Sequence, residues 1–194
     1  MPRLFGLGQE ARTFEFKCGE CGAIHRGSPS FGFDRPSLYY DVPEPERATR
    51  IMLAKDTCFI TPAPDDEGGQ THYFLRGLLE VPIAGATEPF LWGVWVTQSE
   101  ASFLAYLETF EDDQSGTTSF GWLAVAWAPY KRTKPGEYLE NLRCNVLWQK
   151  PGKRPLIELQ ECDHPLYRDQ RDGISWHRAI EIARLILHGE QPRS

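Results

Sequence analysis

Cys18 and Cys21, separated by Gly19-Glu20 and followed by Gly22 and His25, form a C-x-x-C-G-x-x-H knuckle near the N-terminus. Two thiolates at this spacing close a tight backbone loop around one soft divalent ion, and Gly22 supplies the permissive backbone that the returning chain needs. The chemistry this points to is zinc binding. A closed structural site takes four ligands, and Cys18 with Cys21 supplies only two, so the other two must come from elsewhere. His25, four residues beyond Cys21, is the nearest candidate. His164, alone or with Cys162, is another. Two other readings fit the same residues: an unmetallated turn with buried thiols, and a redox pair. The redox reading requires the thiols at a helix start within a βαβ unit, and Ala23-Ile24-His25-Arg26-Gly27 is a poor helix start.

A second group with chemical potential follows Asp163, where His164, Arg168, Arg171 and Asp172 lie close together. A histidine and an arginine around a cleft bind a carboxylate or a phosphate. The plainer alternative is that these residues terminate elements and pair on the surface. Trp92 and Trp95 form a third group. Being an odd number apart, they occupy opposite faces of one strand, so one of them marks a binding surface or the underside of a helix.

The elements that must position these residues read as follows. Phe14 to Lys17 alternates as a short strand delivering Cys18, and Glu44 to Leu53 offers a short helix with Pro45 in its first turn. Cys58-Phe59-Ile60 is a brief strand. Tyr73 to Ile83 and Phe90 to Gln98 form an antiparallel hairpin at the centre of a sheet. Thr97-Gln98-Ser99-Glu100 reads as a capping box opening a helix from about Ser99 to Phe110. Ser119 to Trp127, Leu139 to Gln149 and Pro155 to Gln160 are strands, the last two a pair. A final helix begins near Ser175 and stops at Gly189. Strands and helices do not alternate regularly, which disfavours a doubly wound parallel fold. The expected fold is α+β over a single domain, residues 1–194. It has a mainly antiparallel sheet, a few packed helices and a zinc-knuckle-like element at 13–27.

Composition bounds the partners. With 21 Lys+Arg against 27 Asp+Glu the net charge is -6, which gives no long-range attraction for nucleic acid or anionic membranes. Local basic runs at Lys131 to Lys134 and Lys150 to Arg154 leave a ribbon-like nucleic-acid contact as a minor alternative. No apolar run approaches the roughly 18 residues of a membrane span. Five cysteines, two of them at metal spacing, fit a reducing compartment, so the chain reads as cytoplasmic.

In order along the chain, Phe16-Lys17-Cys18-Gly19-Glu20-Cys21-Gly22, Tyr39-Tyr40, Asp56-Thr57-Cys58 and Phe74-Leu75-Arg76-Gly77 form one part of a pattern. Trp92-Gly93-Val94-Trp95-Val96, His164-Pro165-Leu166 and Gln170 to Ile174 complete it. The set resembles Domain of Unknown Function 2199, a bacterial family. The resemblance implies one shared architecture and no assigned activity. It also draws Cys58 into the candidate ligand set with Cys18, Cys21 and His25. No phosphate-binding loop, nucleophile elbow, H-E-x-x-H or dinucleotide fingerprint is present in the sequence. The leading expectation is a soluble module that binds a protein or small molecule and is organised by structural zinc. The alternative is a metal-dependent hydrolase with zinc-bound water.

Overall fold

The computed structural model describes residues 11–28, 30–125, 130 and 142–188. Its spine is an antiparallel pair, β6 (His72–Val81) and β7 (Phe90–Gln98), joined by nine register pairs from Tyr73↔Gln98 to Val81↔Phe90. These runs are rich in aromatic and β-branched residues, and both faces are covered. Leu75, Leu79, Trp92, Val94, Trp95 and Val96 are all fully buried.

Around this spine the described strands form a two-stranded and an eight-stranded sheet. The smaller is the hairpin of β1 (Glu15–Lys17) and β2 (Ile24–Arg26). In the larger, β5 (Thr57–Ile60) joins one half of β6 antiparallel and carries β4 (Ile51–Leu53) on its outer edge. The other half of β6 meets β10 (Leu156–Leu159) in parallel, and β3 (Ser30–Gly32) lies parallel to β7. β8 (Thr118–Trp122), β9 (Arg143–Leu147) and β10 form an antiparallel meander. The α+β expectation stands, and most strand pairs are antiparallel, but the sheet is mixed rather than purely antiparallel. Tight hairpins write a local antiparallel signal into the sequence. The β3–β7 and β6–β10 pairs are made by distant segments and leave no such signal.

The helices are α1 (Leu38–Asp41), α2 (Glu44–Arg50), α3 (Glu100–Glu108), α4 (Pro165–Asp172) and α5 (Trp176–His188). α2 ends earlier than expected, because Ile51 turns extended and pairs with Ile60. α3 is capped by Ser99, whose hydroxyl accepts from the Ser102 amide at 3.1 Å. The expected capping box from Thr97 does not form, since Thr97 is still strand and its Oγ1 accepts from the Trp122 amide. β9 and β10 pair as expected, and Ser175 caps α5 through the Arg178 amide. Trp127, the start of the Leu139 strand, Lys131 to Lys134 and Gly189 lie outside the described residues.

β8 also returns to β7, through the Val96↔Leu123 bridge and the bond from the Ala124 amide to the Trp95 carbonyl at 2.8 Å. The sheet thereby curls back on itself. Gly121 sits at the closest approach, where a Cβ would lie 2.5 Å from the Thr97 carbonyl oxygen and 3.0 Å from Gln98 Nε2. Backbone at that distance cannot yield cheaply, so Gly121→Ala should destabilise by about 1–3 kcal/mol in denaturant unfolding. Phe120→Ala, at an exposed neighbour, should change stability by no more than about 0.5 kcal/mol. Equal behaviour of the two variants would contradict the closure.

Candidate metal centre

The β1–β2 hairpin is too small to be stable alone and is held by its aromatic side. Phe14 and Phe16 are buried. Phe14 packs between Phe90 of β7 at 6.0 Å and Trp176 of α5 at 4.9 Å. Arg12 closes over Trp176 at 4.5 Å. These contacts fix the hairpin against the helix. The chain then leaves β1 at Cys18 and doubles back through a tight loop. The Gly22 amide donates to the Cys18 carbonyl at 3.0 Å, and the Cys18 amide donates to the Ala23 carbonyl at 2.8 Å. Gly22 adopts φ 73°, the left-handed conformation that the sequence anticipated.

The loop faces the last turn of α5. Ala179, Ile182 and Ala183 bury one side of that helix in the core, and His188 emerges at its end beside the knuckle. Cys18 Sγ lies 3.1 Å from His188 Nε2, and Cys21 Sγ lies 3.4 Å from His25 Nε2. One donor atom from each of these four residues falls within 4.8 Å of all the others. Tetrahedral coordination with ordinary metal–sulfur and metal–nitrogen lengths sets neighbouring donors about 3.3–3.8 Å apart. The four side chains therefore fit a single metal ion with modest adjustment.

The surroundings suit thiolate ligands. The Cys18 thiol is lowered to about 6, first by the backbone amides of Cys21 and Glu20 and also by the Cys21 and His188 side chains. Glu20 Oε2 stands 4.0 Å from His188 Nδ1, the ring nitrogen that faces away from Cys18. A carboxylate there favours a proton on Nδ1 and leaves Nε2 free as a ligand. Phe16 stacks on the His25 ring at 5.1 Å and 27°. Arg184, one helical turn before His188, brings its guanidinium to 3.8 Å from the Cβ position of Gly19.

Cys18, Cys21 and His25 are brought together as the sequence read them. Cys58 is not. It is buried in β5, facing Phe74 across the ladder, and burial raises its thiol to about 12. Its place in the set is taken by His188, which the sequence reading missed. His188 stands 170 residues from Cys18, so no local spacing could reveal it. The available hint was its position in the last turn of the final amphipathic helix.

The other candidate residues have structural surroundings. His164 is the N-cap of α4, its Nδ1 accepting from the Leu166 amide at 3.1 Å. Arg171 is exposed and pairs with the adjacent Asp172 at 2.6 Å while stacking on Tyr167. Neither belongs to the metal group. Trp92 and Trp95 lie on opposite strand faces as expected, but both are fully buried and neither marks an open surface. Trp92 packs against Phe90 and Tyr130, and Trp95 donates its Nε1 to the Phe33 carbonyl at 2.9 Å. No helix among the described residues is long and apolar enough to cross a membrane.

The model of an uncharacterised protein family conserved in bacteria, DUF2199, matches residues 17–174. No curated protein and no solved structure matches the chain. The matched span takes in the knuckle and the whole of the eight-stranded sheet, but ends before α5 and therefore before His188. Since it covers well over half of the sequence, the chain belongs to the DUF2199 family.

Proposed function

We propose that the chain is a cytoplasmic binding module whose knuckle and final helix are clasped by a structural zinc ion. The observation that carries this reading is the convergence of four donor atoms within 4.8 Å, from residues at opposite ends of the sequence. Two thiolates and two imidazoles form a donor set that favours zinc over hard cations such as calcium or magnesium. Two thiolates would also neutralise the ion, so the occupied centre adds no net charge at the edge of the core. The ion supplies folding energy, which falls on the small hairpin and on the last turn of α5.

The competing hydrolase reading needs three protein ligands and an open position for water. His188 supports the structural reading because it supplies a fourth protein donor. The acidic balance of the chain argues against nucleic acid as the partner, which leaves a protein or a small molecule.

Elemental analysis of protein purified without added metal should find about one zinc per chain. Cys18→Ser and His188→Ala should each reduce that content and lower the melting temperature by on the order of 10 °C, with Cys58→Ser leaving zinc in place. Zinc retained in His188→Ala at full affinity would favour the open, hydrolytic site. Absence of zinc from the wild type would overturn both.

Acid should release the ion. Cys18 is depressed below its unfolded value, so its contribution is present at alkaline pH and is lost as pH falls through about 6. In metal-free protein the thiolate absorbance should show one thiol ionising near pH 6, with Cys58 and Cys144 ionising near 12. No thiolate below the ordinary cysteine value of about 8.5 would contradict this electrostatic account of the knuckle.

A further inference from the structure

The segment from Arg35 to Leu53 folds around an open cleft of about 710 Å³. Its floor holds an unusual charge arrangement. The guanidiniums of Arg35 and Arg47 both lie over the ring of Tyr39, at 4.4 and 5.0 Å from its centroid. Arg47 spends its Nε on the Val42 carbonyl at 2.9 Å. Among the described residues neither arginine has a carboxylate within salt-bridge distance. By contrast Arg50, on the same helix, is paired with Glu46 at 2.6 Å. Two like charges on one ring, with no carboxylate within salt-bridge distance, are relieved by a bound anion.

Apart from Glu44, the rest of the cleft is largely apolar. Tyr40, Met52 and Leu53 line it with 45%, 61% and 37% of their surfaces exposed, and Ile51 lies beside them. Met52 and Leu53 belong to β4, whose described pairing is with β5 alone. A volume of this size, with an apolar wall and a few fixed polar groups, has the dimensions of a small-molecule site.

We infer that this cleft binds a small amphipathic anion, a single carboxylate or phosphate attached to an apolar body. The charged head pairs with the forked donors of Arg35 and Arg47, and the body lies over Tyr40, Met52 and Leu53. This gives the proposed binding role a ligand class, so it rests on that role but not on the metal.

The test is a titration of the zinc-replete protein followed by the arginine Nε–H resonances, with zinc content measured on every sample. The probes are octanoate and phenyl phosphate, which separate a carboxylate head on an aliphatic body from a phosphate head on an aromatic one. Octanamide lacks the charge and acetate lacks the body. Saturable shifts of Arg35 and Arg47 with octanoate or phenyl phosphate are expected, with binding at least about tenfold weaker for octanamide and acetate. Arg35→Gln combined with Arg47→Gln should abolish the binding. Met52→Asp, at an exposed position that leaves the fold intact, should weaken it while sparing zinc. No saturable binding of either amphipathic probe overturns the inference, as does binding of acetate or inorganic phosphate at equal strength. Binding unaffected by the arginine pair also overturns it. Zinc retained in a protein that binds no anion counts against the cleft and leaves the metal centre standing.

Discussion

The packing of Phe14 between Phe90 and Trp176 is the contact on which the candidate metal centre depends. It ties a hairpin of two three-residue strands to the central strand and to the last helix at once. Fully burying one phenylalanine contributes about 1.5–3 kcal/mol, enough to dock the hairpin but too little to order its tip. The tip is held chiefly by its backbone turn and by the side chains of Cys18, Cys21 and His25. A metal ion joining those groups to His188 supplies the missing restraint, and it acts where hydrophobic burial is exhausted.

The electrostatics of the tip favour that ion. Backbone amides aimed at Cys18 stabilise a thiolate, and Glu20 lies on the far side of His188 as an outer-shell partner. A thiolate that is nearly inaccessible and has no counter-charge is costly to keep, whereas two thiolates on a divalent cation are neutral together. Cys58 and Cys144 show the contrast. They have the same side chain in apolar surroundings without such donors, and their thiols are pushed up to about 12. Burial alone makes an inert cysteine, while burial combined with converging donors makes a ligand.

How much of this was legible in the sequence depended on distance along the chain. The knuckle, the strand before it, the β6–β7 hairpin and the β9–β10 pair were readable because each is written in neighbouring residues. The parallel β3–β7 and β6–β10 pairs were not, since each joins segments far apart. The same limit hid His188. Cys58 was drawn in by its place in the family pattern, yet it faces Phe74 and serves the core. One of Trp92 and Trp95 was read as marking a surface or the underside of a helix, because the burial of both sheet faces is a property of the whole fold. Alternation along one strand cannot report it. The Arg35–Tyr39–Arg47 stack was equally silent, because both arginines lie outside the short helix that carries Tyr39, one before it and one in the next helix.

X-ray absorption at the zinc edge on protein purified with its own metal tests the central claim most directly. The account predicts two sulfur neighbours at about 2.3 Å and two nitrogen neighbours at about 2.0–2.1 Å, with one nitrogen lost in His188→Ala. A first shell containing a water oxygen in place of the second imidazole, or an unchanged shell in His188→Ala, would contradict it.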